Sequence, residues 1–214
     1  ANIVEGNALQ LDWESVVPKY RLNYIMGNPP FVGFSFQSAK QKNDILSVYI
    51  DEKGKPYKTA GKIDYVSGWY FKAAAMMSGT HIRAAFVSTN SVTQGEQVAG
   101  VWRPLFNRFN VHIDFAYRPF KWDSEANMKA HVHCVIIGFS SAPSEREKLI
   151  FTSDREQHVS NINAYLTDAP NVFIDSHIKP LCDVPTLQNG GKPTEGGNLI
   201  LTFEEKNELV SKEP

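Results

Sequence analysis

Short apolar runs alternate with helix-patterned segments over the first 140 residues, and that alternation constrains the fold more than any other feature. Residues 22–27 (LNYIMG), 82–89 (IRAAFVST), 111–117 (VHIDFAY) and 131–140 (HVHCVIIGFS) are each strand-length and largely apolar. Between the first two, Tyr65, Trp69, Ala73 and Met76 recur at helical spacing behind Asp64 as N-cap, and Gly79 supplies the stop. Between the second and third, residues 95–109 (GEQVAGVWRPLFNRF) give a weaker helix that Pro104 is expected to kink or end. Strands separated by helices predict an α/β fold, with a parallel sheet covered by helices on both faces. No helix pattern separates the last two strands, so they are expected to pair antiparallel at the sheet edge.

A chain of 214 residues with 42% hydrophobic residues buries a sizeable core. Its formal net charge of -1 favours neither nucleic acid nor membrane in bulk. No apolar run approaches the ~20 residues that span a bilayer, and the first residues lack a secretory signal pattern. Cys134 and Cys182 are too few for a disulfide framework, which suits a reducing cytosol. The sequence has no initiator Met and starts close to a strand-like segment, as a piece of a longer protein would. Residues 33–63 are polar and Lys-rich; a stretch of that length is functional or disordered, and disorder is the expectation. After residue 141 the composition shifts: SAPSEREK reads as a linker, 185–198 is rich in Gly and Pro, and 202–214 (TFEEKNELVSKEP) reads as a short amphipathic helix. The expected division is therefore 1–142 and 143–214.

The strand at 22–27 runs straight into Asn28, Pro29, Pro30 and Phe31. Prolines fix their own φ and push the preceding residue out of the helical region, so a rigid turn is one reading. Its position supports another, because ligands of open α/β sheets sit just beyond the carboxyl ends of strands. A stiff loop aims the Asn28 amide oxygen and the Pro29 carbonyl at one point, and two convergent acceptors suit an exocyclic NH2 with two donors. Such an amine is a poor nucleophile while its lone pair is delocalised into a ring. Hydrogen bonds that draw its protons out of the ring plane localise the lone pair. Phe31 offers a face on which the ring can stack, worth roughly 1–3 kcal/mol for a base.

Other candidates are weaker. His131 and His133 share a strand face but lack the further ligands that a structural zinc needs, so no metal is expected. Cys134 reads as a buried, inert thiol. Trp69, Tyr70, Met76 and Met77 read as core, and Asp123 and Glu125 are too loosely placed for an acid–base pair. Arg103, Arg108, Arg118 and Lys121 lie where they would border the motif face, as phosphate contacts or as ordinary solvated charges.

Several of these segments resemble, in chain order, the N6-adenine DNA methyltransferases that use S-adenosylmethionine. GNPPF after a strand resembles their catalytic motif. IVEGNAL (3–9) resembles the preceding motif, whose acidic residue contacts the cofactor's adenine, with Asn7 standing at that place. AAFVSTNSVTQGEQ (84–97) resembles the strand and loop that follow. Residues 115–139 resemble a later motif in which an aromatic residue, here Phe120, flanks the extruded base. KPTEGGNLILT (192–202) resembles the entry to the specificity region of large fused type II restriction–modification enzymes. The Gly-rich cofactor loop that the family places upstream has no counterpart before Asn28, and Gly190–Gly191 and Gly196–Gly197 do not open a helix after a strand.

The resemblance implies the later half of a Rossmann-like methyltransferase sheet, with helices on both faces and an antiparallel edge strand, leading into a recognition domain. It implies transfer of a methyl group from S-adenosylmethionine to an adenine flipped out of double-stranded DNA, in a bacterial cytoplasm and without a membrane partner. Asn28, Pro29, Pro30 and Phe31 would form the catalytic motif, Phe31 and Phe120 would stack the base, and Asn7 and Asn28 would touch the cofactor. The main cofactor motif and the rest of the recognition region would belong to the remaining N-terminal and C-terminal parts of a parent polypeptide, and the fragment alone would be inactive. The alternatives are an amino-methyltransferase acting on RNA or a protein glutamine, and a non-catalytic α/β binding module.

Overall fold

Residue patterning and packing meet in a six-stranded mixed sheet. The computed structural model describes residues 2–122, 132–142, 147–175, 182–185 and 200–212. Asp123, Glu125, His131 and the Gly/Pro stretch from 186 onward lie outside them. Two compact units are present, Ala1–Ser176 and His177–Pro214.

In the first unit the helices are α1 (Trp13–Val16), α2 (Ala39–Val48), α3 (Ser67–Met77) and α4 (Gly95–Phe109). The strands are β1 (Tyr24–Gly27), β2 (Arg83–Thr89), β3 (His112–Trp122), β4 (Val132–Ser140), β5 (Lys148–Phe151) and β6 (Glu156–Val159). Their spatial order is β1-β2-β4-β3-β5-β6. β1 runs parallel to β2 and β3 parallel to β5, while β4 is antiparallel to both of its neighbours and β6 to β5. The α/β class and the antiparallel β3–β4 pair match the sequence. The place of the antiparallel strand does not: β4 is inserted between β2 and β3, inside the sheet, where Cys134, Val135, Ile137 and Phe139 are buried.

Alternation along the strands decides which face is covered. In β2, Ala84, Phe86 and Ser88 are buried while Arg83, Ala85, Val87 and Thr89 are half-buried. Tyr70 of α3 lies on the buried face, its ring 5.3 Å from Phe86, 5.3 Å from Phe139 and 5.4 Å from Trp102 of α4. Ile45 of α2 packs at Gly68 of α3, and Lys72 of α3 lies over Trp13 of α1. α3 and α4 thus cover this face, with α2 packed against α3. Phe115 of β3 lies on the other face and crosses Gly138 of β4; a Cβ there would fall 2.0 Å from the ring, so only glycine fits.

Residues 33–63 correct a second expectation, for they are ordered. Ser38 and Gln41 form a reciprocal capping box that starts α2. Ile45, Tyr49, Ala60 and Ile63 from this stretch are all in the core. α4 is continuous through Pro104. Proline cannot donate to the carbonyl four residues back, that of Gly100. The buried Tyr49 hydroxyl lies 2.9 Å from the Gly100 oxygen and 2.7 Å from that of Val101 and donates in its stead. The strands at 148–151 and 156–159 went unread in the polar composition after residue 141. In the second unit, Thr202 and Glu205 form a capping box at the start of α5 (Phe203–Lys212), where the amphipathic helix was expected. Among the described residues, no helix is long and apolar enough to cross a membrane.

Candidate active site

β1 ends at Gly27, and the next six residues cross the carboxyl edge of the sheet. Pro29 is buried and Phe31 half-buried, whereas Asn28 and Pro30 are exposed. The Asn28 amide makes no hydrogen bond to any described residue, so both its polar atoms are free for a ligand. Behind the motif the loop is fixed. The Val32 carbonyl accepts from Tyr65 N–H at 2.9 Å, and Phe34 N–H donates to Asp64 Oδ1 at 2.9 Å.

Asp64 is the tie of this region. Its other oxygen accepts from the Ser91 hydroxyl at 2.5 Å, and its own N–H donates to Gln97 Oε1 at 3.1 Å. One buried carboxylate therefore joins the exit of the motif loop to the loop after β2 and to the first turn of α4. The sequence suggested Asp64 as the N-cap of α3, but that position belongs to Val66, with no side-chain bond. The signal that pointed to a cap was a real acceptor with different donors.

Phe120 reaches the same sheet edge. Gly27 is in register with Phe86, and three residues further along β2, Thr89 pairs with Cys134, which pairs with Phe120. β1, β2 and β3 all run toward this end, so Phe31 and Phe120 belong to one rim. Three strand spacings, roughly 14 Å of sheet, separate β1 from β3. Pro119 sits beside a register shift in β3 between Tyr117 and Phe120, where the ladder does not need its missing N–H. The Phe120 ring is half-buried and meets Tyr117 edge-on at 5.2 Å.

Asn7 is held differently. Its Oδ1 accepts from Leu9 N–H at 3.0 Å and its Nδ2 donates to Asp44 Oδ2 at 2.8 Å. Gln10 Nε2 and the Tyr65 hydroxyl also donate to Asp44, at 2.9 and 2.8 Å. Burial alone raises the Asp44 pKa, but the bonds from Tyr65, Asn7 and Gln10 outweigh it and hold the carboxyl below the usual range. Burial, with the bond to Asp44, pushes the Tyr65 hydroxyl up to about 12. Lys72 fastens the same N-terminal segment through the carbonyls of Leu9, at 2.7 Å, and Leu11. Asn7 Oδ1 keeps one lone pair for a donor, so an amine of a cofactor's adenine fits there.

The remaining candidates take structural places. Arg103 forms a two-pronged pair with Asp175 at 2.9 and 2.8 Å and lies over Phe173. Arg108 donates to the Ile50 carbonyl and lies over Phe109. Arg118 and Lys121 are exposed. Trp69 is half-buried, and Tyr70, Met76 and Met77 are core. The Cys134 thiol is buried, which pushes its pKa up. Among the described residues no three His, Cys, Asp or Glu side chains come together as metal ligands would.

Residues 1–152 match the family described as the MmeI DNA-methyltransferase domain, and residues 168–214 match the MmeI target recognition domain. The chain is 40% identical over 211 residues to DNA methyltransferase A of Bacillus subtilis (strain 168), covering 98% of this chain and 23% of that protein. It superposes on the type IIL restriction–modification enzyme MmeI, solved in complex with DNA, with a TM-score of 0.89 and 42% identity, covering all of this chain and 28% of that one. The chain thus spans about a quarter of the length of each. With most of its residues inside the family's match and a fold that superposes throughout, the chain belongs to the MmeI DNA-methyltransferase domain family.

Proposed function

We propose that this chain supplies the base-binding half of a DNA adenine-N6 methyltransferase, within a larger restriction–modification polypeptide. The observation that carries it is the free Asn28 amide, leaving β1 on a proline-stiffened loop whose far side is fixed by Asp64. In this reading Asn28 Oδ1 and the Pro29 carbonyl accept the two N6 protons of a flipped adenine, which draws those protons out of the ring plane and localises the lone pair on N6. Phe31 stacks on the ring, and Phe120, from the same sheet rim, closes the far side. S-adenosylmethionine, when bound, supplies the electrophilic methyl group. Asn7 would meet its adenine and Asn28 would lie beside the methyl, which fits one edge of the cofactor and not the whole. The N6 proton lost on transfer leaves to solvent, since no carboxylate or imidazole among the described residues is held at Asn28. Alignment supplies most of the rate. The match of 168–214 to a target recognition domain favours DNA over RNA or a glutamine amide.

The test is labelled methyl transfer to DNA by the full-length enzyme. Asn28→Ala removes one acceptor at the reacting centre, and turnover is expected to fall on the order of 100-fold or more. Near wild-type turnover in that variant refutes the reading.

A further inference from the structure

Two more phenylalanines follow the motif and take no part in the site just described. Phe34 is 43% exposed and Phe36 85%. On a slack loop an exposed ring folds back on the nearest apolar surface, but this one is on a turn that is fixed on every side. Phe34 N–H is held by Asp64, and Phe36 N–H donates to the Gly33 carbonyl at 2.9 Å. The next residue, Gln37, is buried and donates to the Ile63 carbonyl at 2.9 Å, and Ser38 opens α2 with its capping box. The Phe36 ring is thus presented to solvent by a rigid mount.

Basic side chains stand on the helix that follows it. Lys40 and Lys42, on the first turn of α2, are exposed. Phe34 shares a cleft of about 460 Å³ with Lys62, Gln94, Glu96 and Gln97. Phe36 stands five positions after Phe31, so the two lie within roughly 18 Å, less than a duplex is wide. Phenylalanine is among the apolar side chains that proteins insert between base steps.

We propose that Phe36 is a wedge that enters the DNA base stack beside the extruded adenine and holds the gap open, with Lys40 and Lys42 on flanking phosphates. The proposal rests on the reading of Asn28–Phe31 as the base pocket. It gives extrusion a stabilising contact outside that pocket.

The experiment uses the full-length enzyme and a cognate duplex with 2-aminopurine at the target, read by fluorescence and affinity. Phe36→Ala is expected to lower the extruded fraction and the affinity by about tenfold to a hundredfold, the range that one stacked ring accounts for. Phe36→Leu should retain part of both. Against a duplex with an abasic site opposite the target, where extrusion costs less, the deficit of Phe36→Ala should shrink. An unchanged signal, or an equal loss on both duplexes, overturns the wedge. So does a lower melting temperature of the free Phe36→Ala enzyme, which would mean that the ring packs against another part of the polypeptide. Each of these leaves the base pocket standing so long as Asn28→Ala abolishes methylation. If it does not, the pocket reading itself has failed.

Discussion

At the residue scale, the site divides into groups left free and groups that hold them. Asn28 is free, and Asp64 is saturated. Removing the Asp64 carboxylate takes the acceptor from Phe34 N–H and one partner each from the Ser91 hydroxyl, which keeps Thr89 Oγ1, and the Gln97 amide, which keeps the Lys62 carbonyl. An abandoned buried partner costs roughly 1–3 kcal/mol. Asp64→Ala is therefore expected to destabilise the protein by about that amount and to lower kcat more than it raises KM, because the motif loop loses its far anchor. Asp64→Asn keeps an acceptor for Phe34 N–H and should recover most of the stability. Chemical denaturation and steady-state kinetics on the two variants check this; equal kcat in all three proteins refutes the anchoring role. The strand end and the turn at Asn28 were legible from sequence because proline punctuation and an apolar run are local signals. The role of Asp64 was not, since its partners lie 27 to 33 residues away in sequence.

At the scale of elements, the sequence located α3, α4 and α5 but missed α1 and α2. α2 carries its own signature, Ser38 three residues before Gln41 and then Ile45, Val48 and Tyr49, which the abundant lysines obscured. α4 survives Pro104 because a distant hydroxyl replaces the lost donor. Tyr49→Phe keeps the ring and removes that hydroxyl, leaving a buried carbonyl without its partner. We expect a loss of about 1–3 kcal/mol in denaturant unfolding; a neutral effect would mean that the helix closes the gap unaided. β3 holds a second such case at Asp114, by the shift in its ladder. Burial raises its pKa above the ordinary 3.8, against the bond from Ser140 and the charges of Arg83, Lys148 and His112. A raised carboxylate favours the protonated fold, so stability falls as pH rises from about 3.8 through the folded value, and the penalty persists above it. Asp114→Asn retains a partner for the Ser140 hydroxyl and removes the charge. Its melting temperature should exceed wild type at neutral pH, and the gap should close below about pH 4. A gap that is constant with pH refutes the assignment.

At the scale of the whole chain, the α/β class was legible because hydrophobic period is written locally, whereas the expected parallel sheet is mixed, with three of its five pairings antiparallel. The recognition segment was legible only through the resemblance of residues 192–202. The insertion of β4 between β2 and β3 was not legible, because strand order follows from which apolar faces meet. β1 stands at one end of the sheet, with Tyr24 63% and Met26 79% exposed, and the face opposite the helices is only half-covered. That bears on the cofactor. In this fold a nucleoside is held by a Gly-rich turn after one strand, where backbone and ligand approach closely, and by an acidic group on the ribose. No such turn occurs before Asn28. Asn7 offers one lone pair and Asn28 one amide, too few contacts to offset immobilising the ligand. Residues 1–214 produced alone should therefore neither bind S-adenosylmethionine measurably nor methylate DNA, while a longer polypeptide that carries a Gly-rich turn should do both. Isothermal titration of both proteins decides it: micromolar binding by residues 1–214 would place the cofactor site among groups to which the geometry gives no such role.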